Sequence, residues 1–129
     1  MLKIVGSPAG YAINRVLEDI MNSLVKENGD YIVSFKSSDY SAEKGGYRPV
    51  EVMIRDSQVI YVTDFTYVGS GPFAELVKGM DWDFAAGECG QTGMYYGLEE
   101  AAELWRLYQS NFVDYFKAGK FDDVTVNLL

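Results

Sequence analysis

A few carboxylates and one tyrosine-bearing loop are the parts of this chain whose residue types and spacing can do chemistry. Asp81 and Asp83 flank Trp82 at i and i+2, which puts both on one face if the segment is a strand. Asp64 interrupts the apolar run from Val59 to Phe65, and Glu51 lies on the strand expected to pair with that run. If Asp64, Asp81 and Asp83 converged, they would hold a hard cation such as Mg²⁺ or Ca²⁺, or raise one carboxyl pKa for acid work. The same aspartates serve as well for capping helices, accepting backbone N–H groups in turns, or pairing with Arg48 or Arg55. Such structural roles are the commoner use of these residues.

Composition narrows the chemistry further. The 129 residues include 19 acidic and 11 basic side chains, for a net charge of −8, with no histidine and one cysteine. Without histidine there is no Ser-His-Asp triad, no Cys-His pair and no imidazole-ligated zinc. A lone Cys89 excludes an internal disulfide and a cysteine-rich metal site. Any catalysis would then rest on carboxylates, lysine, tyrosine, arginine or an oxygen-ligated cation, and no catalytic residue, metal ligand or cofactor is assigned from the sequence. The negative charge repels nucleic acid phosphates and anionic membranes but suits a basic protein partner. No apolar run reaches the roughly 20 residues of a membrane span. The first residues, MLKIVGSPAG, lack the pattern of a signal peptide, so a cytoplasmic protein is expected. Oligomeric state is not legible.

Other motifs yield to plainer readings. Gly69-Ser70-Gly71-Pro72-Phe73-Ala74 matches G-x-G-x-x-A between a strand and a helix, as dinucleotide fingerprints do. No βαβ unit follows, and a turn explains it equally. Ser41-Ala42-Glu43-Lys44 matches S-x-x-K without the scaffold or companion motifs that chemistry needs. Cys89 sits in a loop-like Gly87-Glu88-Cys89-Gly90 context that exposes it, yet nothing nearby lowers its pKa. Tyr40, Tyr47, Tyr67, Tyr95 and Tyr96 fall in or beside glycine-containing loops. Tyrosine there anchors contacts at low entropic cost, or folds back over the core.

The elements that must position these residues follow from periodicity. Pro8 to Asn28 reads as a helix capped by Ser7, with Ile13, Val16, Leu17, Ile20, Met21, Leu24 and Val25 as its apolar stripe. Leu2 to Val5 reads as a short edge strand. Tyr31–Lys36, Val50–Arg55 and Gln58–Tyr67 alternate as strands, the last two joined tightly by Asp56-Ser57. Phe73 to Met80 reads as a short helix, Trp82 to Ala86 as a strand and Gly87 to Gly97 as a loop. A helix over Glu99–Lys117 and a strand over Phe121–Leu129 close the chain. The expected fold is a single α+β domain over residues 1–129: an antiparallel-rich β-sheet with two long helices packed on one face.

Four segments resemble a bacterial family of unknown function, domain of unknown function 2787. The run from Tyr40 to Glu51, YSAEKGGYRPVE, looks like its YSAE-x-GG signature, and Tyr61 to Gly69 looks like its Y-x-TDF-x-Y-x-G segment. Asp81-Trp82-Asp83-Phe84 resembles its DFDF, with Trp82 in place of phenylalanine, and the helix carrying Trp105, Asn111 and Phe112 is similar too. The family commonly has histidine where Arg48 stands, a departure that weakens the idea of essential histidine chemistry in this loop. The resemblance implies a small cytoplasmic bacterial protein and no particular activity.

Together these point to a non-enzymatic binding protein that contacts another protein through the Tyr40–Arg48 loop. The candidate binding residues are Tyr40, Glu43, Tyr47, Arg48, Glu51, Asp64, Tyr67, Asp81 and Asp83. The rival reading is a carboxylate enzyme or cation-binding protein built on Asp64, Asp81 and Asp83.

Overall fold

The computed structural model describes residues 3–129. Strands β1 (Tyr31–Lys36), β2 (Val50–Arg55), β3 (Gln58–Val68), β4 (Glu75–Asp83), β5 (Glu88–Gln91), β6 (Met94–Gly97) and β7 (Asp123–Leu128) form one seven-stranded sheet. Its order is β6-β5-β4-β3-β2-β1-β7 with every neighbouring pair antiparallel. Helices α1 (Arg15–Leu24) and α2 (Ala102–Lys117) cover one face, giving the expected α+β architecture.

Alternation sets the two faces. Val33, Val52, Val62, Trp82 and Cys89 stand opposite one another across five strands, all buried beneath the helices. Trp82 packs against the rings of Trp105 and Tyr108 of α2, with centroids 5.1 and 5.5 Å away. Phe35 meets Phe112 and Phe121 edge-on. Each such side chain contributes about 1.5–3 kcal/mol by leaving water. The next row, Ser34, Glu51, Thr63, Asp81 and Gly90, lies on the face the helices leave open.

The β2–β3 hairpin is as expected, and Asp56 (φ 50°) and Ser57 (φ 60°) supply the two left-handed residues that match strand twist. Elsewhere the structure corrects the sequence reading. The first helix starts at Arg15, not Pro8, because Ala9 (φ 58°) and Gly10 (φ 73°) end a single 3-10 turn. Ser7 does not cap it; its hydroxyl donates to the carbonyl of Tyr11, while Asn14 accepts the Val16 N–H at 2.7 Å. Leu2 lies outside the described residues. Lys3 to Val5 is not a strand, though the Val5 N–H donates to the Ser57 carbonyl.

Phe73 to Met80 is not a helix. Glu75 onward pairs with β3, Tyr67 opposite Leu76 and Thr63 opposite Asp81, so cross-strand hydrogen bonding overrides a helix-like spacing of apolar residues. Asp83 ends that strand, so the strand expected to run on to Ala86 stops three residues short. Gly87 to Gly97 is a β5–β6 hairpin rather than a loop, turning on Thr92 (φ 47°) and Gly93 (φ 88°). Cys89 is accordingly fully buried, not exposed, and burial raises its thiol pKa. The G-x-G-x-x-A segment is the turn between β3 and β4.

Candidate functional site

The loop from Ser37 to Pro49 joins β1 to β2 across one end of the sheet, and its two halves serve opposite faces. Its first half folds toward the open face. The Tyr40 ring stacks on Tyr67 with centroids 5.5 Å apart, and its hydroxyl reaches Thr66 Oγ1 and the Tyr67 N–H, both at 3.3 Å. Ser41 and Gly45 close a tight turn that leaves Glu43 in solvent.

The second half folds toward α2. Tyr47 meets Tyr115 edge-on at 4.8 Å, and Lys120 Nζ lies 5.7 Å from the centre of the Tyr47 ring. Beside it, Arg48 Nη1 stands 3.5 Å from Asp64 Oδ1. Asp64 sits on the helix-covered face opposite Val50 and is only 4% exposed. The Met80 N–H donates to Oδ1 at 2.8 Å and the Tyr108 hydroxyl to Oδ2 at 2.9 Å. Burial together with the Asp64 charge holds the Tyr108 hydroxyl neutral, its pKa far above the ordinary tyrosine value. These groups form the floor of a cavity of about 540 Å³, walled by Tyr47, Phe112, Tyr115 and Phe121 with Asn111 beside them.

A local irregularity makes room for this floor. The β3–β4 register shifts between Thr63 and Phe65, so Gly79 and Met80 together oppose Asp64. A Cβ at Gly79 would stand 2.3 Å from Asp64 Oδ1 and 2.9 Å from Arg48 Nη1. Glycine is the side chain the carboxylate and guanidinium allow there.

Asp81 and Asp83 are elsewhere. Asp81 is on the open face, 7% exposed, accepting Thr63 Oγ1 at 2.6 Å and the Tyr95 hydroxyl at 3.2 Å. Tyr95 reaches it by lying flat across Gly90, whose missing Cβ would otherwise be 2.6 Å from the ring. Lys78 Nζ lies 3.9 Å from the same carboxylate. Asp83 accepts the Ala86 N–H at 2.9 Å and so caps the turn after β4. Glu51 accepts the Tyr61 hydroxyl at 2.6 Å, also on the open face, and that bond with burial raises the Tyr61 pKa.

The three aspartates therefore do not converge: the sheet separates Asp64 from Asp81 and Asp83, and each is already held by a neighbouring donor. Among the described residues no cluster of three or more carboxylate or thiol groups is placed to hold a metal ion. The cation-binding reading needed that convergence and is corrected here. Tyr40, Tyr67, Glu51, Asp81 and Asp83 belong to the open face, Tyr47, Arg48 and Asp64 to the helix side. Sequence reading missed Tyr108, Asn111 and Gly79 on the helix side, and Phe73 and Leu76 at the hairpin end. Tyr108 lies within the helix expected over Glu99–Lys117, with no local signal that sets it apart.

The model of a protein family of unknown function (DUF2787) matches residues 11–127. The chain belongs to this family. Two solved structures from Vibrio cholerae resemble it along nearly their whole length. One is a hypothetical protein of the VSP-II pathogenicity island, with 25% identity and a TM-score of 0.76, the match covering 94% of this chain and 95% of that one. The other is a conserved hypothetical protein of pathogenicity island VPI-2, with 30% identity and the same TM-score of 0.76, covering 95% and 100%. That protein is described as sharing structural homology with the human P32 protein. No curated protein shows a significant match to the chain. Among the described residues no helix is long and apolar enough to cross a membrane.

Proposed function

We propose that this member of the DUF2787 family is a non-enzymatic binding protein that docks another protein at the loop end of its sheet. The observation that carries the reading is an exposed apolar surface on the β3–β4 hairpin. Tyr67 and Leu76 face each other across the two strands, and Phe73 stands in the turn with 83% of its surface in water. Tyr40 extends this surface through its stack on Tyr67. Exposed apolar groups collected at one place, and aromatic ones above all, are what protein interfaces are built around. The Tyr40 half of the loop thus keeps the role expected of it, with Phe73 and Leu76 added. The charge of −8 favours a partner whose own surface is basic.

Replacing Phe73 and Leu76 by serine together removes the two most exposed apolar side chains of this surface without touching a buried residue. Recovery of co-purifying partner protein from the native host is expected to fall at least about tenfold. A control Leu107→Ser, at an exposed position on α2, should leave it unchanged. Equal recovery by wild type and the double variant would sink the reading.

A further inference from the structure

We propose that the cavity between α2 and the second half of the loop binds a small organic carboxylate carrying a flat apolar group. It is separate from the docking surface, because the sheet end lies between them: Tyr40 and Phe65 line the hollow on the open side, Tyr47 and Arg48 the one beneath α2.

The argument starts from the unequal partners in the floor. Asp64 is well satisfied, with Met80 N–H, the Tyr108 hydroxyl and Arg48 all directed at its two oxygens. Arg48 is not. A guanidinium has five N–H donors, and a paired carboxylate ordinarily lies about 2.7–2.9 Å away in a fork. Among the described residues the polar contact of Arg48 is one end-on approach to Asp64 at 3.5 Å, with its side chain 47% exposed. Asp64 therefore acts as a fixed counter-charge that holds the arginine in place, while the remaining donors of Arg48 are left for a second anion.

The cavity volume of about 540 Å³ lies in the range that encloses small molecules. Its walls choose the rest of the ligand. Phe112, Tyr115 and Phe121 line it with aromatic rings, suited to a flat apolar group. Gly79 supports the arrangement from below, since any larger residue would displace both members of the Arg48–Asp64 pair. A floor assembled from the loop, β3, β4 and α2 around a buried charge is a poor way to gain stability and a good way to fix one guanidinium.

Phenylacetate and its uncharged analogue phenylacetamide serve as the probes. In ¹H–¹⁵N titrations phenylacetate should shift the amides of Tyr47, Arg48, Asn111 and Tyr115, with a Kd of about 1 mM for so small a ligand. Phenylacetamide should bind at least about tenfold more weakly. Arg48→Gln should erase the difference between the two. Arg48→Lys, which keeps the charge beside Asp64 but loses the fork, should retain part of it and covers the case in which the glutamine variant does not fold. Tyr115→Ala should weaken both probes alike and preserve the preference for the acid. The proposal is overturned if phenylacetate shifts none of these amides at about 10 mM, or if acid and amide bind equally. Phe73→Ser/Leu76→Ser should bind phenylacetate as wild type does, so this site and the docking surface succeed or fail separately.

Discussion

Replacing Asp64 by alanine is expected to destabilise the folded chain by about 3 kcal/mol, read as a fall in the urea midpoint at unchanged slope. Three donors lose their acceptor at once: the Met80 N–H, the Tyr108 hydroxyl and the Arg48 guanidinium. The first two are partly buried between α2 and the sheet, so most of the cost belongs to them. Arg48 is half exposed and adds less, because solvent screens it. Asp64→Asn keeps the acceptor at Oδ1 and should cost about half as much. A loss under about 1 kcal/mol for the alanine variant would mean that Asp64 is not the acceptor around which this end of the sheet is organised.

Gly79→Ala is expected to cost about 2–3 kcal/mol even though it adds one methyl group. The backbone at Gly79 does not need glycine for its own conformation, as it is not among the positive-φ residues. The conflict is with the carboxylate 2.3 Å from the added carbon, which cannot swing aside without giving up Met80 or Tyr108. This makes a sharp test by double-mutant cycle. Once Asp64 is alanine the closer conflict disappears and only the flexible end of Arg48 has to give, so the pair should be less destabilised than the sum of the singles by about 2 kcal/mol. Additive effects would show that the two residues act independently.

The part of the sheet legible in the sequence was the part where local and tertiary signals agree. β1 and β2 alternate cleanly, β3 is rich in β-branched and aromatic residues, and Asp56-Ser57 marks the β2–β3 turn, so their boundaries hold to within a residue. β4 was hidden because Phe73, Leu76, Val77 and Met80 carry helix spacing, although Leu76 and Phe73 are solvent-exposed and pack no helix face. β5 and β6 were hidden by glycines that read as loop. One of them, Gly90, is instead the position over which Tyr95 lies to reach Asp81.

The site was half legible for a similar reason. Asp64 stood out correctly as a charge in an apolar run, and Arg48 was named as a possible partner. Its separation from Asp81 depends on register: Thr63, not Asp64, faces Asp81, so Asp64 falls on the other side. Register across a shifted pair of strands is a property of the assembled sheet. Tyr108 reaches Asp64 from 44 residues away, a contact no local pattern encodes.

The docking surface is the central claim, and a photo-crosslinking amino acid at single positions tests it most directly. Placed at residue 73 in cells of the native host, it should trap a protein partner, whereas at residue 107 on α2 it should trap none. Adducts at 107 but not at 73, or equal adducts at both, would contradict a binding surface at the loop end of the sheet.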